Sequence, residues 1–355
     1  MKSFNTNRAE GSPSITRKQK LIFLILFFSL LLFLLLDVFF GTVSIRASEV
    51  FKALFENSPG VNSTIIFEFR IPKAITALIV GMALSLSGLL MQTVFRNPMA
   101  GPDVLGISSG ASLGVAIVIL GFHTSISVDS LRGLGNWILI AASWIGAGAV
   151  MILIMSLSAR VRDIMTILII GIMLSSGLLA IVTIMQYFSA ESMLKAYIIW
   201  TMGSLGNLTA NQLHVLIICV VAGILLSLLS AKMLNALSLG ENYASSIGLN
   251  VKLSRAIIFA STSILAGSVT AFCGPIGFIG IAVPHITRIL LRTSDHKILI
   301  PGTILTGATV MLISDIISQM PGSDTVLPVN SVTSLIGIPV VIWVILRNRK
   351  YSGSF

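Results

Sequence analysis

Charge is what this chain has least of. Only 10% of its 355 residues are Asp, Glu, Lys or Arg, against about 25% in an ordinary soluble domain. So few charges cannot clothe a water-facing surface, which excludes a soluble globular protein. Cysteine is equally scarce. Cys219 and Cys273 both fall inside apolar runs and read as buried free thiols, not as a disulfide or metal ligands. The histidines are isolated, and His285 has no carboxylate or second histidine at ligand spacing, so no metal site is expected. The Gly101-x4-Gly106 spacing is followed by Ile107-Ser108, and Gly-x4-Gly-Lys-Ser/Thr occurs nowhere. A nucleotide-binding phosphate loop is therefore absent. No paired carboxylates or nucleophile–base pair lie within the apolar runs, so no catalytic residue and no cofactor are expected.

Apolar residues are what the chain has in excess: 55% of the total, with a mean hydropathy of +0.98. The net charge of +10 does not form a nucleic-acid face, because the basic residues sit in short clusters between apolar runs. The first run, Leu21 to Phe40, follows Arg17-Lys18-Gln19-Lys20 and is too long for a signal-peptide core. It reads as a retained span. With about 20 apolar residues needed per crossing, the sequence predicts ten spans, near 21–40, 71–93, 103–121, 135–157, 164–187, 211–230, 256–272, 275–292, 298–317 and 331–346. The seventh and eighth are short and divided by Gly274-Pro275, and the tenth contains Pro339. Such breaks are tolerated beside protein or a water-filled cavity, so they point to a cavity nearby.

With the N-terminus inside, 17 of the 23 Lys and Arg residues fall on inside segments. Arg46, Lys52, Arg70, Lys73, Arg132 and Lys195 fall outside. This bias predicts both termini in the cytoplasm and an even number of spans. The expected fold is an all-α membrane protein, a ten-span helical bundle whose two five-span halves have opposite topology. Residues 1–20 read as a polar cytoplasmic tail, 21–350 as one membrane domain with a long connection near 231–255, and 351–355 as a short tail. The small residues of Gly110–Gly114 and Gly146–Ala149 read as close helix contacts.

Several segments carry a more specific pattern. The first is Arg70-Ile71-Pro72-Lys73, then Ser87-Gly88, Met91-Gln92, Arg96-Asn97-Pro98-Met99-Ala100-Gly101-Pro102, Leu105-Gly106 and Gly110-Ala111. Here an apolar span ends in a polar corner that feeds at once into another span, and Pro98 and Pro102 end the helical bonding. The second is Leu239-Gly240-Glu241-Asn242-Tyr243-Ala244-Ser245-Ser246-Ile247-Gly248. Its glycines bracket one or two helical turns, with Ala244 small on the face between them. The third runs from Gly274-Pro275-Ile276-Gly277-Phe278 through Gly280 to Pro284-His285 and Arg288. To these add Trp200-Thr201-Met202-Gly203-Ser204, Asp295-His296-Lys297 with Pro301, Gly307-Ala308 with Asp315, and Leu327-Pro328-Val329 with Gly337-Ile338-Pro339.

As a set, over roughly residues 20–350, these segments resemble the permease subunits of binding-protein-dependent ABC importers of the iron-siderophore, haem and cobalamin class (the FecCD/BtuC family). The resemblance implies a multi-pass permease of the bacterial cytoplasmic membrane that performs no chemistry itself. Its expected partners are a second permease copy or a homologous permease, two ATPase subunits, a substrate-binding protein and a metal-chelate substrate. It implies a gate at Asn97, Pro98 and Met99, and an ATPase-coupling segment with Leu239, Gly240, Ala244, Ile247 and Gly248. Arg70 and Lys73 match two outer basic residues that dock the binding protein. Three positions depart from the family pattern: Val326 and Asn330 flank Leu327-Pro328-Val329 where Glu and Gly are usual, and Gln319 stands where cobalamin permeases can carry an outward Arg. Asn330 is expected to keep a left-handed turn. His285 is expected to make a helix-end hydrogen bond near the cytoplasmic face.

Two other classes are open to an apolar chain. An ion-coupled secondary transporter needs ionisable residues within its spans, but Asp37, Asp163 and Asp315 all lie near predicted span ends. An intramembrane enzyme is disfavoured by the isolated histidines and the missing metal pattern.

Overall fold

The computed structural model describes residues 16–41, 43, 45–56, 60–121, 137–161, 163–320 and 325–352. Both tails beyond residues 16 and 352, together with Lys2, Arg8, Arg132 and Arg162 of the orientation argument, lie outside the described residues. Among the described residues the secondary structure is helical and contains no strand.

The chain starts in α1 (Arg17–Phe39) and continues through α2 (Ala47–Glu56), α3 (Val61–Val94), α4 (Ile107–Gly121), α5 (Trp137–Arg160), α6 (Ile164–Phe188) and α7 (Glu191–Thr201). It then forms α8 (Ala210–Leu229), α9 (Ala231–Ser238), α10 (Glu241–Ser246), α11 (Val251–Cys273), α12 (Ile279–Leu291), α13 (His296–Ser318) and α14 (Val329–Ser352). Seven helices are long and apolar enough to cross a bilayer: α1, α3, α5, α6, α8, α11 and α13. Shorter apolar helices cover 107–121, 279–291 and 329–344. These ten apolar helices fall on the ten predicted segments.

Three boundaries differ from the sequence expectation. Residues 17–20 are the first turn of α1, not part of a tail. Thr16 caps that turn and Gln19 reaches back to the Thr16 amide, a reciprocal capping box. The second span begins at residue 61, ten residues before the predicted start, and runs unbroken through Pro72. An interior proline clashes with the carbonyl four residues back and lacks its own donor. Here Ile65–Arg70 adopts a wider π-helical turn just before the proline, which accommodates it without ending the helix. The seventh span is not short: α11 starts at Val251, capped by Asn250.

The layering follows from who is covered. In α3, α11 and α13 between 61% and 78% of the apolar window is buried, against 22% in α1 and 17% in α6. The first three form the centre, and the others turn Leu, Ile and Phe outward, as lipid requires. Close approach at the centre relies on glycine. A Cβ on Gly81 would collide with the Gly307 carbonyl, and one on Gly88 with Gly280, so α3 meets α13 and α12 backbone to backbone. The expected small-residue contact is present too, where Gly110 and Gly114 of α4 face Gly146 of α5.

Candidate functional site

Helix α3 separates two candidate regions. Arg70 and Phe95 are 25 residues apart, so at about 1.5 Å per residue they are roughly 37 Å apart, more than the ~30 Å of a hydrocarbon core. The basic pair and the proline corner therefore stand at opposite ends of one helix.

At the Arg70 end lies a cavity of about 860 Å³. Its wall includes Arg70, Lys73, Trp200, Cys273, Gln319 and Leu327, and among the described residues that line it none is Asp, Glu or His. Of the helix breaks expected to mark a cavity, Gly274 lines it, whereas Pro339 does not and stays inside α14. Residues 200–204, 274–276 and 326–330 are stitched together there: the Ser204 amide donates to the Cys273 carbonyl at 2.8 Å, and the Gly277 amide donates to Asn330 Oδ1 at 3.0 Å. Asn330 is thus a helical residue of α14 whose side chain accepts a backbone proton. It does not form the left-handed turn expected of it. Cys219 and Cys273 are both free.

Arg70 and Lys73 are not a pair of free outward charges. Arg70 is only 7% exposed. Its guanidinium donates to the carbonyls of Val38 (3.0 Å), Phe39 (2.9 Å) and Val43. The last carbonyls of a helix have no partner within it, and Arg70 supplies one to the end of α1. Gly41 permits this approach, since a Cβ there would sit 2.9 Å from the guanidinium. Lys73 Nζ lies 3.1 Å from Asp315 Oδ1, with 20% of the lysine side chain exposed and none of the aspartate. Gln319 Nε2 donates to Asp37 at 3.0 Å and to Asp315 at 2.9 Å. Gln319 is buried and faces this cluster, not an outer surface. Sequence reasoning placed Asp37 and Asp315 near span ends and did not join them. Two acids inside apolar runs were the available signal.

At the other end of α3 the backbone turns sharply. Arg96 has φ +46°, a left-handed value uncommon for a side-chain-bearing residue. The Met99 amide donates to Asn97 Oδ1 at 2.9 Å, closing a local turn. His285 Nε2 donates to the Pro98 carbonyl at 2.8 Å, so the histidine makes its hydrogen bond with the corner. Gln92 ties α3 to α12 twice, donating to the Ile281 carbonyl (3.1 Å) and accepting from Arg288 (2.6 Å). The exposed tip of the corner carries Pro98 and Met99.

The coupling segment differs in one respect from its expected presentation. Gly240 (φ +111°) and Gly248 (φ +87°) do bracket α10 in conformations that suit glycine. Ala244, however, has no exposed surface and packs into this chain's own core. The outward residues are Leu239, Tyr243 and Ile247, which are 64%, 49% and 58% exposed. Arg255 of α11 holds the segment by donating to Glu241 at 2.8 Å. The Arg96 guanidinium lies 3.4 Å from where a Gly240 Cβ would be, so corner and segment are neighbours. Between 291 and 296, Asp295 caps α13 and binds Asn235. Partial burial raises its carboxyl pKa, but hydrogen bonds from Asn235 and the Lys297 amide outweigh that and hold it below the usual carboxylate range.

Comparison with known proteins brings these regions under one heading. A family model described as the FecCD transport family matches residues 29–347. The hemin transport system permease protein HmuU of Yersinia pestis is 34% identical over 323 residues, covering 90% of this chain and 95% of its own. The vitamin B12 import system permease protein BtuC of Klebsiella pneumoniae is 36% identical over 285 residues, covering 80% and 83%. In three dimensions, an inward-facing metal-chelate type ABC transporter superposes with a TM-score of 0.78 at 26% identity, over 92% of this chain and 99% of that one.

Proposed function

From its membership of the FecCD transport family, we propose that this chain is the permease subunit of an ABC importer, carrying a metal chelate across the cytoplasmic membrane. The carrying observation is the near end-to-end match to HmuU, a hemin permease. The substrate class is iron-siderophore, haem or cobalamin. Two permease copies, or this chain and a homologous permease, enclose the path. Two ATPase subunits drive it from the cytoplasmic side, and a binding protein loads it from outside. The ten apolar helices all cross the bilayer, and both termini are cytoplasmic.

The roles follow the ends of α3. Asn97, Pro98 and Met99 form the cytoplasmic gate, supported by the proline break and the exposed Met99. Leu239, Tyr243 and Ile247 present the surface that the ATPase receives, while Gly240, Ala244 and Gly248 shape the stub that presents it. Lys73 keeps a side chain that is 20% exposed at the cavity wall for binding-protein docking, and Arg70 positions that wall through the end of α1. The buried Asp37 and Asp315 share one cation, Lys73, and the amide of Gln319, and serve as an internal anchor.

The test is transport by the complex in proteoliposomes, with the ATPase and binding protein co-expressed. Labelled ferric siderophore, haem and cobalamin are supplied in turn. Uptake of one chelate is expected to require ATP inside the assembly and to be insensitive to proton and sodium ionophores. Uptake that survives without ATP and collapses with an ionophore would establish a secondary transporter instead.

A further inference from the structure

The Asp295-His296 turn is given no role by the gate, the cavity or the ATPase-facing surface, yet it is the best-bonded polar group near the corner. His296 opens α13 and is 3% exposed. Its backbone amide and its Nδ1 both approach Asn235 Oδ1, at 2.8 and 2.7 Å. Its Nε2 lies 2.8 Å from Thr93 Oγ1, on the last turn of α3. Asn235 belongs to α9, the helix leading directly into the coupling stub α10, and its Nδ2 donates to Asp295 at 2.7 Å.

The polarity at the Asn235 end of this chain is determined. A backbone amide can only donate, so Asn235 presents its oxygen to His296 and its nitrogen to Asp295. Nδ1 must then carry a proton to bond the same oxygen. With a neutral ring, Nε2 accepts from the Thr93 hydroxyl, whose single proton is shared between it and the Leu89 carbonyl, 2.8 Å away. Three helices, α9, α13 and α3, thus meet through one imidazole. Thr93 stands four residues before Asn97, the first of the three gate residues.

We propose that Thr93, His296 and Asn235 form a side-chain bracket that transmits displacement of the α9–α10 segment to the gate end of α3. They are positioning residues, touching neither nucleotide nor substrate. The inference rests on the importer reading given above. The physical reason is stiffness. Buried, fully paired hydrogen bonds resist stretching, whereas an apolar slip plane between α9 and α3 lets one helix move without the other. The Arg96 contact beside Gly240 is exposed and cannot enforce this alone.

The experiment uses the whole complex with its co-purifying ATPase and a spin label on Met99→Cys in both permease copies, in a background carrying Cys219→Ser and Cys273→Ala. Three variants interrupt the bracket: Thr93→Val, close in shape but without the hydroxyl; His296→Asn, which reaches Asn235 but not Thr93; and Asn235→Leu. Thr93→Ser restores the hydroxyl. Each interrupting variant is expected to retain the ATPase and its hydrolysis rate. Chelate taken up per ATP falls about tenfold, the order of one lost buried hydrogen bond, and the ATP-dependent distance change at position 99 shrinks. Thr93→Ser recovers both. Should one variant fail to assemble, the conservative Thr93→Val and Thr93→Ser pair still decides. Unchanged uptake per ATP in Thr93→Val, with a normal distance change, overturns the bracket alone. A parent complex with no ATP-dependent change and no ATP-driven uptake overturns the importer reading and the bracket with it.

Discussion

Lys73 and Asp315 form the contact with the largest consequence for a single residue. Asp315 has no exposed surface, and its ammonium partner lies 3.1 Å away. Removing one member of a buried pair strands the other charge and costs about 3–5 kcal/mol, whereas removing both is close to neutral. Lys73→Met is therefore expected to lower the thermal inactivation temperature in detergent markedly, and Asp315→Asn added to it is expected to recover most of the loss. Equal stability of Lys73→Met and the parent chain would show that the pair is not a buried anchor. Arg70 behaves differently. Its partners are three carbonyls at the end of α1, so reversing it to Glu unseats α1 from α3 before any docking question arises. None of this was readable in the sequence. Gln319 and Asp37 are 282 positions apart, and no local spacing announces a contact made by folding the first helix onto the ninth apolar one.

Among the helices, the seven long spans were legible because length and hydropathy suffice to specify a crossing. The corner at 96–102 was legible because two prolines four residues apart disfavour continuous helical bonding. The unbroken passage through Pro72 was not, because a π-helical turn leaves no mark in hydropathy. The direction of α10 was also hidden. The glycines bracketing it were visible, but which side faces inward depends on α11 and the Arg255–Glu241 pair. The burial of Ala244 reverses what substitutions there should do. Ala244→Arg forces a long cation into a site with no exposed surface and is expected to destabilise this chain by about 3 kcal/mol, detectable as a lowered melting temperature of the isolated permease. Tyr243→Asp and Leu239→Asp leave the permease stable. Each weakens retention of the ATPase on affinity resin by about tenfold or more, as expected for anchors at the centre of an interface. Full ATPase retention by the Tyr243→Asp, Leu239→Asp double variant would remove this face from the coupling role.

At the scale of the molecule, the distribution of order along α3 matters most. At one end, Arg70 and the Lys73–Asp315 pair anchor the helix to α1 and α13. At the other, Met99 is exposed on a turn held by Asn97 and by the single His285 bond to the Pro98 carbonyl. Alternating access requires some constriction to change width, and Gln92 and the Thr93–His296 contact make the gate end of α3 move together with α12 and α13. Methionine suits a reversible seal, being flexible, apolar and unable to grip a polar substrate. With Met99→Cys in a background lacking Cys219 and Cys273, crosslinking between the two permease copies is expected in one nucleotide state and not in another. If the partner permease differs, its matching position carries the second cysteine. The control is Phe69→Cys, an exposed position at the anchored end, whose reach to the other copy is expected to stay the same with and without ATP. Crosslinking at position 99 that is identical in all nucleotide states, or absent with every linker length, would reduce the corner to a turn between two helices and move the gate elsewhere along the path.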